Sequence, residues 1–223
     1  MVDGPGIRSV IFFSGCPLRC LYCHNPDTWE KASGDQLTVE YIMEEVRKYK
    51  SYQKASGGGV TISGGEPFMQ PQFLIEVLKA CRQNGIHTII DTSGYAHEDI
   101  AREALKYTDL LMLDIKAFDP KTYKKLTGVA IDRTLRMLEI AQEMNVLTRV
   151  RYVLVPGVTD NMDEIRELAK HLKNFTNLEK VVVLPFHKTG EFKWKERNIP
   201  YELGDTQPPS AELLKEAQGI LEM

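Results

Sequence analysis

The chain has 223 residues, of which 43% are hydrophobic and 26% charged, so it is long enough to bury a full core. Its formal net charge is -3, and its basic residues are spread along the sequence, which argues against a nucleic-acid partner. No apolar run approaches the roughly 20 residues that span a bilayer, and no signal-peptide pattern opens the chain, so we expect a cytoplasmic protein without membrane contact.

Short apolar runs alternate with helical patterns along the chain. In chain order the prediction is strand 8–14, helix 38–54, strand 59–63, helix 71–84, strand 87–91, helix 98–107, strand 110–116, helix 132–144, strand 147–155, helix 160–172, strand 180–185 and helix 210–221. Thr38, Asp160 and Ser210 are the predicted N-caps, and 198–209 is a polar loop. This alternation is typical of βα units, and it predicts an α/β fold, an incomplete (β/α) barrel in a single domain, 1–223.

Three of the predicted strands end in polar residues. Residues i, i+2 and i+4 of a strand share one face, and the sets that end in a polar group are Met112, Asp114 and Lys116; Val183, Pro185 and His187; and His87, Ile89 and Asp91. Barrel enzymes place their chemistry at the carboxyl ends of the strands. We therefore expect these polar groups to gather at one rim of the barrel.

Three of the four cysteines, Cys16, Cys20 and Cys23, lie in one short segment. Clustered thiols in a chain without a secretion signal more often bind metal or do redox chemistry than form disulfides. Thiolate is the usual ligand for iron–sulfur clusters, and three ligands leave one iron open to substrate. Cys81 could be a fourth ligand, but its place in an apolar helical stripe predicts a core residue. A zinc site completed by His24 and a set of unconnected thiols are the alternatives.

The order of the motifs resembles the radical SAM superfamily. Cysteines spaced C-x3-C-x2-C at 16–23 precede Gly-Gly-Glu-Pro at 64–67, and the segments at 2–8, 22–25, 56–60, 112–116 and 151–157 resemble the pyruvate formate-lyase activating enzymes. The resemblance implies a partial, open (β/α)6-type barrel related to the TIM barrel. It also implies that a [4Fe–4S] cluster reductively cleaves S-adenosylmethionine (SAM) to a 5′-deoxyadenosyl radical. Under anaerobic conditions this radical takes a hydrogen from a glycine of pyruvate formate-lyase. A flavodoxin-type electron donor and a monomeric state are further expectations.

The same resemblance implies roles for individual residues. Cys16, Cys20 and Cys23 hold the cluster, and the implied SAM-binding positions are Tyr22, Asn25, Gly64, Gly65, Glu66, Asp114, Lys116 and His187. A monovalent cation beside SAM is implied at Asp91, Thr92 and Met112, and contacts to the glycine-bearing loop of the partner at Asp3 and Arg151. Ion pairs at the strand ends or on the surface, and a histidine that merely closes a strand, are the alternatives for the polar residues.

Two further features of the sequence bear on the resemblance. Family chains carry a short segment before the motif at 2–8, so we expect a first strand truncated at its start and a frayed Asp3. No cysteine lies between Cys23 and Cys81, which favours the pyruvate formate-lyase type over activases with extra clusters. The rival functions are an activase of another glycyl radical enzyme, a radical SAM enzyme for a small molecule, an electron carrier without a SAM site, and a zinc-clipped scaffold.

Overall fold

A six-stranded parallel sheet forms the centre of the fold in a computed structural model that describes residues 3–222. The strands are β1 (Arg8–Phe13), β2 (Gly59–Gly64), β3 (His87–Thr92), β4 (Leu110–Asp114), β5 (Leu147–Leu154) and β6 (Leu178–Pro185). Each of them was predicted from its short apolar run. Buried strands of a parallel sheet are apolar on both faces, which makes such runs easy to find in the sequence.

The strand order in the sheet is the order in the chain, β1-β2-β3-β4-β5-β6. All neighbouring strands are parallel. Within residues 3–222 no ladder closes β6 onto β1, so the barrel is open. The predicted α/β fold with a partial barrel is thus confirmed.

Nine α-helices are formed within the described residues: α1 (Val39–Lys48), α2 (Lys50–Ser56), α3 (Pro71–Gln83), α4 (Glu98–Leu105), α5 (Pro120–Thr127), α6 (Asp132–Glu143), α7 (Met162–Leu172), α8 (Glu191–Glu196) and α9 (Ala211–Leu221). The predicted helix 38–54 is two helices, because Tyr49 leaves helical geometry at φ -107° and ψ 3°. The short helices α5 and α8 were not predicted. No helix in this part of the chain is long and apolar enough to cross a membrane.

Two of the three predicted N-caps are confirmed. The side chains of Thr38 and Ser210 accept hydrogen bonds from backbone N–H groups in the first turns of α1 and α9. The prediction of Asp160 was wrong, because the side chain of Asn161 caps α7 and accepts from the N–H groups of Asp163 and Glu164. Asp and Asn are equally good caps, so the residue type could not choose between the adjacent positions.

The segment that precedes β1 is held against the inside of the sheet. The carbonyl of Asp3 accepts a hydrogen bond from Thr61 Oγ1 at 2.8 Å, and Gly4 is buried. The Arg8 guanidinium also reaches Thr61 Oγ1, at 2.7 Å. The backbone of Asp3 is thus tied to β2, although the residue itself is exposed. Met1 and Val2, where the first motif begins, lie outside the described residues.

Candidate active site

A cavity of about 450 Å³ opens at the carboxyl ends of the strands. All of the predicted site residues except Glu66 and Met112 line it: Asp3, Cys16, Cys20, Tyr22, Cys23, Asn25, Gly64, Gly65, Asp91, Thr92, Asp114, Lys116, Arg151 and His187. Residues far apart in the sequence meet here because parallel strands present their carboxyl ends at one edge. The predicted polar rim is confirmed.

His187 reaches this cavity by a different route from the one predicted. Val183, which was expected to share its face, packs into the core beneath the outer helices. In the register of β6 against β5, Val182 lies beside Arg151 and Leu184 beside Val153. Because Arg151 and Val153 line the cavity, the face of β6 that looks into it is the one with Val182 and Leu184. The strand ends at Pro185, so His187 lines the cavity from the loop beyond the sheet, where period-two alternation no longer applies.

The segment that carries the three clustered cysteines, residues 16–27, is named the cysteine loop here. It is anchored at several backbone positions. The N–H groups of Arg19 and Leu21 donate to the carbonyls of Thr127 and Leu126 in α5, at 2.7 and 3.1 Å. Within the loop, the Cys23 N–H donates to the Cys20 carbonyl at 3.0 Å. The unpredicted helix α5 thus supports the middle of this loop.

The three thiols of the loop are free and face the same cavity. Burial raises the pKa of Cys16 and of Cys20 to about 12. Burial also raises the pKa of Cys23, although the Asn25 N–H and the Trp29 side chain oppose that rise. Thiols therefore stay protonated in the metal-free chain, and binding of iron must release their protons.

The donor set of this loop fits a [4Fe–4S] cluster with three thiolate ligands and one open iron. Between residues 3 and 222, no group of three or more histidine, cysteine, aspartate or glutamate side chains is arranged to hold a single metal ion.

Cys81 lies in the core, as its helical stripe predicted. Its side chain is fully buried on α3, and its Sγ is 3.8 Å from the Sδ of Met43. It does not line the cavity of the other three cysteines. Cys81 therefore serves as a small apolar residue.

The Gly64-Gly65 turn packs directly on the cysteine loop. The Gly65 N–H donates to the Phe13 carbonyl, and the Glu66 N–H donates to the Gly15 carbonyl, both at 2.8 Å. A Cβ on Gly65 would lie 2.5 Å from the Gly15 carbonyl oxygen, which no side chain tolerates. Glycine is therefore required for this approach of the two loops.

The Glu66 side chain lies behind the cavity wall, where it binds two residues that line the cavity. It is fully buried, and Thr92 Oγ1 and Ser93 Oγ each donate to its carboxylate at 2.6 Å. The backbone N–H groups of Ser93 and Phe68 donate to it as well, at 3.0 and 3.3 Å. Burial raises the pKa of Glu66. Its carboxylate ties the glycine turn to the end of β3.

Glu66→Gln is expected to destabilise the fold by about 2 kcal/mol, because either orientation of the amide sets an NH₂ group against a backbone N–H donor. For a chain of this size that corresponds to a fall of roughly 4–8 °C in the thermal midpoint of the metal-free protein, followed by circular dichroism. Glu76→Gln, at an exposed position of α3, is the control. A midpoint equal to that of the wild type would contradict this assignment of Glu66.

Four charged side chains form a network on the cavity wall. Arg151 Nε lies 2.6 Å from Asp114 Oδ1, and the Arg151 guanidinium also pairs with Asp91. Lys116 Nζ lies 2.6 Å from Asp114 Oδ2. Burial alone would raise the pKa of Asp114, but the charges of Arg151 and Lys116 lower it to about 2. Ion pairs at the strand ends are thus present, and Arg151 is a buried residue rather than a surface one.

Two aromatic features complete the cavity wall. The Tyr22 hydroxyl is buried, and no hydrogen-bond partner for it is found in the described part of the chain. The rings of His24 and His187 stack with centroids 4.3 Å apart. Tyr22 lines the cavity and also packs into the apolar cluster that includes Tyr123 and Phe186.

Met112 lies outside the cavity, in a small apolar cluster with Ile89 and Leu110. Sequence reasoning also missed Lys193 and Trp194, which contact the cysteine loop from α8. No sequence pattern indicated them, because their partners lie more than 160 residues away in the chain. Trp29 and Trp194 pack edge to face beside Cys23, with ring centroids 5.2 Å apart.

An open parallel barrel with three cysteines in one loop at the carboxyl ends of its strands defines a class of iron–sulfur enzyme. The sequence model described as the radical SAM superfamily matches residues 10–172. A radical SAM methyltransferase from Sphaerobacter thermophilus shares the fold at a TM-score of 0.69 and 17% identity, covering 96% of this chain and 63% of that one.

Closer relatives define the group within that class. The pyruvate formate-lyase-activating enzyme of Clostridium pasteurianum is 46% identical over 99% of this chain and 92% of its own length. The pyruvate formate-lyase 1-activating enzyme of Escherichia coli K12 is 43% identical over 99% and 91%. A solved domain of a pyruvate-formate lyase-activating enzyme from Bacteroides vulgatus matches at a TM-score of 0.62 and 29% identity, covering 74% of this chain and 92% of that one. The chain belongs to the pyruvate formate-lyase activating enzymes of the radical SAM superfamily.

Proposed function

We propose that this protein cleaves SAM reductively and transfers the resulting radical to a glycine of pyruvate formate-lyase. The observation that carries the proposal is the meeting of the three free thiols, the Gly64-Gly65 turn and the Asp114–Lys116 pair in one cavity. An electron carrier needs no such polar wall beside its cluster. The relatives named above support the choice of partner.

In this proposal Cys16, Cys20 and Cys23 bind the [4Fe–4S] cluster, which supplies the electron for cleavage and an open iron for the methionyl end of SAM. The backbone of Gly64 and Gly65 lines the place for the methionyl amine. Glu66 acts indirectly, because its carboxylate holds the turn from behind.

The opposite wall of the cavity receives the rest of SAM. Lys116 carries a positive charge suited to the SAM carboxylate, and Asp114 lies beside it as an acceptor for the ribose. Tyr22, Asn25 and His187 line the adenosyl side.

We also propose the monovalent cation next to the SAM carboxylate. Asp91 and Thr92 line the cavity and offer oxygen atoms, the ligand type that hard cations prefer. Met112 takes part through its backbone carbonyl in this proposal, because its side chain is buried among apolar residues. The Thr92 hydroxyl donates to Glu66 and accepts from the Gly94 N–H at 2.8 Å, which leaves one lone pair for a cation.

The glycine-bearing loop of the partner is proposed to enter at Asp3 and Arg151, both of which line the cavity. Arg151 is held on the cavity wall by Asp91 and Asp114, and we propose that it meets that loop from this fixed position. A flavodoxin-type electron donor, a monomeric state, a cytoplasmic location and a single domain over 1–223 belong to the same proposal.

The test combines the anaerobically reconstituted, reduced protein with SAM and pyruvate formate-lyase, and records the EPR spectrum. A glycyl radical doublet that needs all three components is expected. Cleavage of SAM without the doublet would point to a different glycyl radical enzyme or to a small-molecule substrate. No cleavage by a sample loaded with its cluster would overturn the proposed function.

A further inference from the structure

A short segment after β6 contacts the cysteine loop on the side away from the cavity through hydrogen bonds and an ion pair. We name residues 190–197 the clasp; they include α8. The indole Nε1–H of Trp194 donates to the Cys23 carbonyl at 2.8 Å. Lys193 Nζ donates to Asn25 Oδ1 at 2.9 Å and pairs with the Asp27 carboxylate at the same distance. Two consecutive residues of the clasp thus bind three positions of the loop.

The clasp fits closely against the loop. Gly190 lies so near His24 that an added Cβ would come 2.7 Å from the His24 Cα. Trp194 is only 4% exposed, because its ring packs between Trp29 and Tyr201, each with its centroid 5.2 Å away. The rigid packing of the indole holds its N–H group in place for the Cys23 carbonyl.

The rest of the loop has other supports. Cys16 is held through its N–H to the Trp29 carbonyl, and the residues on either side of Cys20 are held by α5. Residues 23–27 contact distant parts of the chain through hydrogen bonds and an ion pair to His187 and to the clasp. The clasp also lies beyond residues 10–172, which match the superfamily.

We propose that Trp194 and Lys193 are positioning residues for the third cluster ligand, Cys23, and for Asn25 beside it. This inference rests on the proposed function for the identity of the cluster. A hydrogen bond to the Cys23 carbonyl orients the peptide that carries the ligand, as outer-shell partners do at metal sites. The contact of Lys193 fixes the Asn25 amide on the adenosyl side of the cavity.

The test compares the reconstituted wild type with Trp194→Phe, which keeps an aromatic ring and removes the N–H donor. Iron release to a chelator under anaerobic conditions is expected to be about three- to tenfold faster, the effect of losing one hydrogen bond. The change that SAM causes in the EPR spectrum of the reduced cluster is expected to weaken. Phe192→Ala is the matched control, because Phe192 lies on the same helix and is 55% exposed.

A purely structural role of Trp194 would lower the thermal midpoint of the metal-free protein and leave the SAM-dependent EPR change intact, which would overturn the proposal. Iron release within about twofold of the wild type would overturn it as well. If Trp194→Phe fails to fold, iron release and the SAM-dependent EPR change are measured on Lys193→Met instead, with the same expected results. This variant removes only the side-chain contacts to Asn25 and Asp27. Iron release needs no SAM, so this comparison stands even if the wild type fails to cleave SAM.

Discussion

Cys20→Ala is expected to abolish both the iron–sulfur cluster and the glycyl radical signal. Cys20 is one of three thiols that face the cavity, and its removal leaves two ligands for a cluster that already has one open iron. The expected result is a loss of iron and labile sulfide after anaerobic reconstitution, and an EPR spectrum without the glycyl doublet.

Cys81→Ala is the matched control for that experiment. Because Cys81 is fully buried in the core and away from the cavity, its loss is expected to cost about 1 kcal/mol of stability and to leave cluster content unchanged. The assignment of ligands would be wrong if Cys81→Ala lost its iron or if Cys20→Ala kept a full complement.

Asp114→Asn is expected to have the second-largest effect. The Asp114 carboxylate neutralises Arg151 and Lys116 on the cavity wall, and its removal leaves partly uncompensated buried cations. We expect the free energy of unfolding of the metal-free protein to fall by about 3 kcal/mol, measured with urea. SAM binding to the reconstituted protein, measured by calorimetry, is expected to weaken by at least about tenfold.

The dependence of stability on acid pH provides a second, independent test of the Asp114 carboxylate. The pKa of Asp114 in the fold is about 2, below its ordinary value of about 3.9, so its contribution to stability is complete above pH 4 or so. That contribution is lost as the pH falls towards 2, and Asp114→Asn is expected to remove this part of the acid dependence. Asp163→Asn is the control, because the pair of Asp163 with Arg166 is exposed and is expected to matter by less than about 0.5 kcal/mol. Equal urea midpoints for wild type and Asp114→Asn would contradict the role of the network.

The cysteine loop shows how much of the site can be predicted from the sequence. Ligands that are close in the chain, such as Cys16, Cys20 and Cys23, need only one short loop to meet, so their spacing is informative by itself. Asp91 and Asp114 were also placed correctly at the rim, because period-two alternation and the parallel sheet bring the ends of β3 and β4 together. Lys116 lies two residues past the end of β4 and lines the same cavity.

The directions of individual side chains were harder to predict. Glu66 follows two glycines that face the cavity, yet its carboxylate turns to the hydroxyls of Thr92 and Ser93, because a buried charge needs donors. His187 lies past the end of its strand, where alternation no longer predicts its direction. Neither outcome could be predicted without knowing which donors and loops lie nearby.

Local chemistry is therefore what the sequence by itself determined about this protein: the apolar strands, the three clustered thiols and the polar residues at the strand ends. Only the tertiary structure decided which distant groups support them. Trp194 lies far along the chain from Cys23, and α5 supports the cysteine loop although its residues carry no metal ligand. Such contacts follow from packing between elements, and packing depends on the whole fold rather than on any pattern within one segment.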